Sequence, residues 1–262
     1  IQNFGAMDVL CTDKTGTITQ GRVVLEKYVN ILGQEDEHIL DVAFLNSYYQ
    51  TGLKNLMDVA ILEHTDKTRD LVQENSHHKV DEIPFDFVRK RMSVVVSDGG
   101  GSDVLVSKGA VDELLALCTS VKVNGDTTEF TSDKRDSVLQ FVSDLNAQGF
   151  RVLALAVRTF SSTTPDRVYT VRDEQDLILL GFLAFLDPPK ESTAEAISKL
   201  RANNVSVKIL TGDSDLVTIN ICKQIGIGQP RVLLGPDIET MSDGQLAETV
   251  GGIDVFARLS PV

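Results

Sequence analysis

Cys11-Thr12-Asp13-Lys14-Thr15-Gly16-Thr17 follows a short apolar run at residues 7–10. The run reads as a buried strand of a parallel sheet. A carboxylate at the C-terminal end of such a strand stands in the crevice where open α/β sheets bind ligands. Asp13 has a cation beside it in Lys14 and two hydroxyls in Thr15 and Thr17, while Gly16 lets backbone amides close on an anion. These groups equip a carboxylate nucleophile for phosphoryl transfer. Asp, Thr and Gly are also ordinary turn residues, and a lone Asp-Lys-Thr would mean no more than that. Seven residues in this order mean more.

Thr211-Gly212-Asp213 follows the strand expected at 205–210 as Asp13 follows 7–10. If the two strands are neighbours, both loops end in one crevice, where the Thr211 hydroxyl and the amides of the next helix can hold a phosphoryl oxygen. The plain alternative is a helix start, because Thr, Asp and Ser are all capping residues. Ile83-Pro84-Phe85-Asp86-Phe87-Val88-Arg89-Lys90-Arg91-Met92-Ser93 combines aromatics with a dense basic run. An aromatic face stacks on a base and cations beside it meet phosphates, although an apolar strand with a solvated basic edge has the same residues.

The elements around these residues divide in two styles. Residues 22–30 alternate and read as a strand; 35–49 and 51–65 have helical spacing, and 71–79 reads as polar loop. Residues 92–96 and 104–107 flank Gly99-Gly100-Gly101 as a hairpin, and 121–130 holds the hairpin signal Asn124-Gly125. Short and long helices are expected at 111–118 and 132–146, central strands at 151–158 and 177–186, and a polar surface excursion at 161–176. After Asp187-Pro188-Pro189-Lys190, where two prolines restrict the chain, helices at 191–203, 216–225 and 245–250 alternate with strands at 205–210, 232–234 and 255–257. That is a doubly wound parallel pattern. The expected architecture is an α/β domain split in sequence, residues 1–21 and 187–262, with a mixed α+β domain, 22–186, inserted after its first strand.

Composition bounds the chemistry. The chain has 262 residues, 42% hydrophobic, enough for real cores, and a net charge of −13 that argues against nucleic acid or an anionic membrane surface as partner. Cys11, Cys118 and Cys222 are widely spaced and odd in number; Cys11 and Cys222 fall on apolar patterns, which points to buried free thiols and a reducing compartment. His77-His78 has no Cys or second His pair at ligand spacing and reads as solvated loop. No run approaches the roughly 18 apolar residues of a membrane span. With Ile1 first and Ser260-Pro261-Val262 last, a soluble piece of a longer protein is expected.

The motif around Asp13 resembles the phosphorylation motif of P-type ATPases, pumps built on the haloacid dehalogenase-like fold. The resemblance extends through Lys108-Gly109-Ala110, Arg151 at the head of Arg-Val-Leu-Ala-Leu-Ala, Asp187-Pro188-Pro189-Lys190 and Phe256-Ala257-Arg258, nearly the whole chain. It implies that Asp13 becomes an aspartyl phosphate, with Thr15 in the place where related phosphatases carry a second aspartate, which slows hydrolysis. It implies that Thr211 contacts the phosphate, that Gly212 allows close backbone approach and that Asp213 orders the loop. By the same resemblance Phe85 stacks on adenine, Lys90, Lys108, Gly109, Arg151 and Arg258 line the ATP site, and Asp58 lies near the adenine amino group. Asp187, Pro188 and Pro189 form a hinge, and Mg²⁺ is expected at Asp13 and the Thr15 carbonyl, with a further ligand beyond the chain. Bland readings stand beside these: a surface lysine at a strand-to-helix turn for Lys108, carboxylate-paired arginines for Arg151 and Arg258, a helix-surface aspartate for Asp58.

Tyr49-Gln50-Thr51-Gly52-Leu53-Lys54-Asn55-Leu56-Met57-Asp58 looks most like bacterial magnesium-transporting members. The implied setting is the cytoplasmic face of a cell membrane, with ATP as substrate and the transmembrane and actuator domains of the parent chain as partners. The piece itself is expected to be a monomer that binds ATP weakly without sustained turnover. A soluble phosphatase of the same superfamily with a large cap, or an ATP-binding module without turnover, are the competing readings.

Overall fold

The computed structural model describes residues 7–52, 54–64, 77–97, 101–161 and 167–260. They form two compact units: Ile1–Val23, Ser143–Arg151 and Leu186–Val262 in one, Val24–Val142 and Val152–Phe185 in the other. The Gly99-Gly100 part of the expected hairpin tip and residues 65–76 of the expected helix end and polar loop lie outside the described residues.

In the first unit, strands β1 (Val9–Asp13), β10 (Ser206–Leu210), β11 (Val232–Leu234) and β12 (Val255–Ala257) pair in the order β1-β10-β12-β11, all parallel. Parallel neighbours need crossovers. Helices α6 (Asp215–Gln224), α7 (Gly235–Thr240) and α8 (Asp243–Val250) supply them, and α5 (Glu191–Ala202) leads into β10. The sequence reading had no element at α7, which Pro236 opens at the first helical turn, a position where its missing N–H costs nothing. Ile197 and Ile221 from the helices meet Ile209, Val255 and Ala257 from the strands in one buried cluster.

Two expectations are corrected here. The first strand runs Val9–Asp13 rather than 7–10, and it ends the strand order, so its side chains alternate exposed and half-buried instead of being buried throughout. Cys11 is therefore an exposed free thiol, whereas Cys118 and Cys222 are buried and free. Burial pushes both of the latter up to about 12, so they stay protonated.

The second unit is an eight-stranded sheet. Its path is β3 (His78–Asp86), β4 (Arg91–Ser97), β5 (Ser102–Ala110), β8 (Arg151–Ser161), β9 (Leu177–Leu186), β6 (Cys118–Val123), β7 (Asp126–Glu129), and β2 (Val24–Asn30) also pairs with β9. The pairs β3/β4, β4/β5, β5/β8 and β6/β7 are antiparallel; β6/β9 is parallel. Asn124 and Gly125, with φ of 50° and 92°, make the tight β6–β7 turn, which needs left-handed backbone at both positions. Helices α1 (Glu37–Tyr49) and α2 (Leu56–His64) pack with β2, β4 and β5; α3 (Val111–Leu115) and α4 (Ser132–Ala147) as far as Val142 also belong to this unit, and the end of α4 belongs to the first. The Asp36 carboxylate caps α1 by accepting from the His38 amide at 3.0 Å.

Three local readings also change. The chain is already in β3 at His78 and Lys79, where a loop was expected, and the helix at Val111 stops at Leu115 because β6 begins at Cys118. The described part of the excursion, residues 167–176, is no loose surface loop: Tyr169 and Glu174 are buried. The Tyr169 hydroxyl donates to Asp103 Oδ2 at 2.7 Å, and its amide donates to Asp81 Oδ2 at 2.8 Å.

Candidate functional site

Asp13 is the last residue of β1, in register with Leu210, the last residue of its parallel neighbour β10. The loops leaving the two strands thus start side by side. After Asp13 the chain turns tightly through Lys14–Ile18, with Gly16 at φ 76° in the left-handed region. Asp13, Thr15 and Thr17 are exposed, while Lys14 is buried. The Lys14 ammonium is 2.6 Å from Asp213 Oδ2 and 3.9 Å from Asp187 Oδ2.

Asp213 is also 3.1 Å from the Arg151 guanidinium. Burial would raise its carboxyl, but Arg151 and Lys14 outweigh burial and hold it below the ordinary carboxylate value. The cap of α6 is Ser214, whose Oγ accepts from the Val217 amide at 3.4 Å, so Asp213 and Thr211 are not needed to start that helix. Thr211 is buried; its Oγ1 accepts from the Asp213 amide at 3.1 Å. A side chain at Gly212 would stand 3.1 Å from the Leu259 carbonyl. Arg258 is held at φ 53° and pairs with Asp215 at 3.3 Å.

Asp187 fixes the start of the segment after β9. Its carboxylate accepts from Thr19 Oγ1 at 2.5 Å and from the Gly21 amide at 3.1 Å. The two strands of chain run together there: Gln20 N donates to Pro188 O, Lys190 N to Ile18 O, and Thr19 bridges Pro189. Lys190 Nζ reaches the Gly16 carbonyl at 2.6 Å.

In the second unit, Phe85 is 49% exposed near the end of β3 and meets Phe87 edge-to-face, with ring centroids 5.4 Å apart. Asp86 closes the turn by accepting from the Val88 and Arg89 amides at 2.9 and 2.7 Å. The basic run that follows is mostly consumed. Arg89 and Arg91 both bind the buried Glu174, and Lys90, at φ 47° and mostly exposed, is 2.8 Å from Glu113. Sequence reading missed Glu174 because nothing in its polar neighbourhood marks it for burial.

Lys108 is 4% exposed, and its ammonium is paired with Asp58 and donates to Ser47 Oγ at 2.5 Å. Burial lowers the Lys108 value against the pull of Asp58. Neither is the surface residue of the bland reading; Asp58 is wholly buried. Gly109 faces Arg91 in the neighbouring strand, and a Cβ there would lie 2.4 Å from Arg91 Cβ and 2.7 Å from the Lys90 carbonyl. Its small size is therefore demanded by strand packing.

Among the described residues, no cluster of three or more His, Cys, Asp or Glu is placed to hold a metal ion. Asp13 and the Thr15 carbonyl offer two hard oxygen donors, which fit Mg²⁺ as a cation that takes few protein ligands and keeps waters and substrate phosphates. Among the described residues, no helix is long and apolar enough to cross a membrane.

A parallel α/β unit that ends its first strand on Asp13, and a separate mixed sheet unit presenting Phe85, agree with one family. Residues 33–192 match the model of the P-type ATPase cytoplasmic domain N, and the chain belongs to the P-type ATPases. Over its whole length it is 49% identical to a magnesium-transporting ATPase, P-type 1, of Salmonella typhimurium and 48% identical to that of Escherichia coli K12. A calcium-transporting ATPase 1 of Bacillus cereus is 26% identical, again over the whole chain. The chain spans 29% of the length of the two magnesium-transporting relatives and 31% of the calcium-transporting one.

Proposed function

We propose that this chain is the phosphorylation and nucleotide-binding part of an ATP-driven magnesium pump, residues 1–21 and 187–262 forming a haloacid dehalogenase-like phosphorylation domain and 22–186 the nucleotide-binding domain. The observation that carries the proposal is the register of Asp13 with Leu210, which starts the Asp13 and Thr211–Asp213 loops side by side. Asp13 is an exposed carboxylate at the C-terminal end of a parallel strand, where open α/β sheets bind ligands, and that suits a nucleophile which must meet an incoming phosphoryl group.

In this reading the nucleotide is held by stacking of adenine on Phe85, with Lys90 and Lys108 as its cations, Gly109 and Asp58 beside Lys108, and Arg151 and Arg258 turning from Asp213 and Asp215 to the phosphates. An Asp13 carboxylate oxygen attacks the γ-phosphorus in line; the bond to the β-bridging oxygen breaks and ADP leaves, giving an acyl phosphate. Thr211 and the amides near Gly212 donate to the phosphoryl oxygens, while Lys14 and Asp213 hold the two loops in place. Mg²⁺ bound at Asp13 and the Thr15 carbonyl would offset phosphate charge. Asp187, Pro188 and Pro189 serve as the hinge. Thr15, lacking a carboxylate, leaves the acyl phosphate slow to hydrolyse, which separates a pump from a soluble phosphatase.

The name of the magnesium-transporting relatives, at 48–49% identity, supports magnesium as the cargo, and the parent would sit with this part at the cytoplasmic face of a membrane beside its transmembrane and actuator domains. The test is acid-quench labelling of the full-length pump with γ-labelled ATP. Hydroxylamine-sensitive label should appear in the wild type and be absent in Asp13→Asn. Label retained in Asp13→Asn would remove Asp13 from the nucleophile's role.

A further inference from the structure

Glu174 is 2% exposed and takes four hydrogen bonds. Arg89 Nη1 donates to both of its carboxylate oxygens at 2.9 and 2.8 Å, Arg91 Nε donates at 2.9 Å and Ser93 Oγ at 2.7 Å. Two guanidiniums and a hydroxyl on one buried carboxylate form a fully satisfied network. Such networks fix one arrangement at a cost in desolvation, which makes a specificity role worth testing.

The network reaches the aromatic turn through Arg89. That guanidinium also pairs with the Asp86 carboxylate and donates to the Pro84 carbonyl. Pro84 and Asp86 are the two neighbours of Phe85, so Arg89 holds a backbone carbonyl on one side of the exposed ring and a side-chain carboxylate on the other. The segment that carries Glu174 is itself tied down. A short 3-10 turn, Val171–Asp173, has a capping box between Thr170 and Asp173, and Arg158 donates to the Asp173 and Gln175 carbonyls at 3.2 and 2.8 Å. Tyr169 anchors its other side to Asp81 and Asp103.

We propose that Glu174, 85 positions downstream of Arg89, is a positioning residue for nucleotide recognition: it holds Arg89 so that Arg89 sets the Pro84–Asp86 backbone and the angle of Phe85. This rests on the reading of Phe85 as the adenine platform. It also means that Arg89 and Arg91 are withheld from phosphate, leaving Lys90, whose pair with Glu113 is solvent-exposed, as the cation of the run that a ligand can engage.

The experiment compares Glu174→Gln and Arg89→Met with the wild-type chain, using adenosine and inorganic triphosphate as separate probes. Arg89→Met keeps Glu174 paired to Arg91 and Ser93, so it severs the clasp with the buried carboxylate still neutralised. Both variants should weaken adenosine about tenfold, the size of one lost charge-assisted hydrogen bond. Triphosphate binding should be unchanged or tighter in Glu174→Gln, because Arg89 is released with its charge. A merely structural loss would weaken both probes together and would overturn the proposal. Amide exchange at Val88 and Arg89, read without any ligand, should quicken in both variants; unchanged exchange would overturn the proposal even if Phe85 proves not to bind adenine. Phe85→Ala binding adenosine like the wild type would count against the adenine platform alone, and the exchange result would still decide the role of Glu174.

Discussion

Lys14 and Asp213 lie 2.6 Å apart and join the loop leaving β1 to the loop leaving β10. The Lys14 side chain is buried and the Asp213 side chain is 10% exposed, while Asp13 stands beside this tie with its own carboxylate exposed. The sequence places a cation next to Asp13, and the fold uses that cation to fix the opposite loop.

Breaking this pair should destabilise the first unit. Removing one partner of a buried pair costs about 3 kcal/mol or more, so Asp213→Asn should unfold at clearly lower urea than the wild type at pH 7. The Asp213 carboxyl is lower in the folded chain than the ordinary value of about 4 that it regains on unfolding. Its contribution is therefore complete above that pH and is lost as the pH falls through the depressed folded value. The stability gap between Asp213→Asn and the wild type should close in acid; a gap independent of pH would show that the pair is not ionised as described.

Lys108 and Asp58 should behave as one unit. Lys108→Met leaves a carboxylate buried without its cation, and Asp58→Asn does the converse, each costing about 3–5 kcal/mol. The double variant Lys108→Met/Asp58→Asn should cost well under the sum, since neither charge is then stranded. Urea unfolding of the four proteins measures the coupling, and strict additivity would contradict the contact.

Gly109→Ala should lower stability without any nucleotide present. Its Cβ would meet backbone and Cβ atoms of Lys90 and Arg91, which cannot swing away like a side-chain tip. Overpacking of this kind costs about 1–3 kcal/mol. A thermal melt of the ligand-free variant indistinguishable from wild type would disprove the close approach of the two strands.

Much of this was legible in the sequence, and the exceptions share a cause. The parallel strands Ser206–Leu210 and Val255–Ala257 and the Asn124-Gly125 turn follow from local signals: apolar runs between helical spacings, and a dipeptide that tolerates left-handed backbone. The loops carrying Asp13 and Thr211 start side by side because each leaves the C-terminal end of one of two neighbouring parallel strands, a strand–loop pattern that local signals already suggest. Exposure of Cys11 could not be read, because strand order is a property of the whole sheet. Burial of Asp58, Lys108 and Glu174 could not be read either. A charged residue looks like surface until its partner is known, and these partners lie 50 and 85 positions away. For the same reason the run Arg89-Lys90-Arg91 reads either as cations open to phosphate or as a solvated basic edge, whereas Arg89 and Arg91 are bound to Glu174.

In the proposed function, Phe85 and Lys108 mark a working nucleotide pocket in this chain. Titration of the ¹⁵N-labelled chain with ATP, followed by NMR in the wild type, Phe85→Ala and Lys108→Ala, tests it most directly. Shifts should cluster around Phe85 and Lys108, and Phe85→Ala should weaken binding about tenfold, as loss of one stacking platform does. Phe85 is half-exposed, so its removal should leave the fold intact. Shifts centred elsewhere, or affinities unchanged in both variants, would place nucleotide binding away from Phe85 and Lys108.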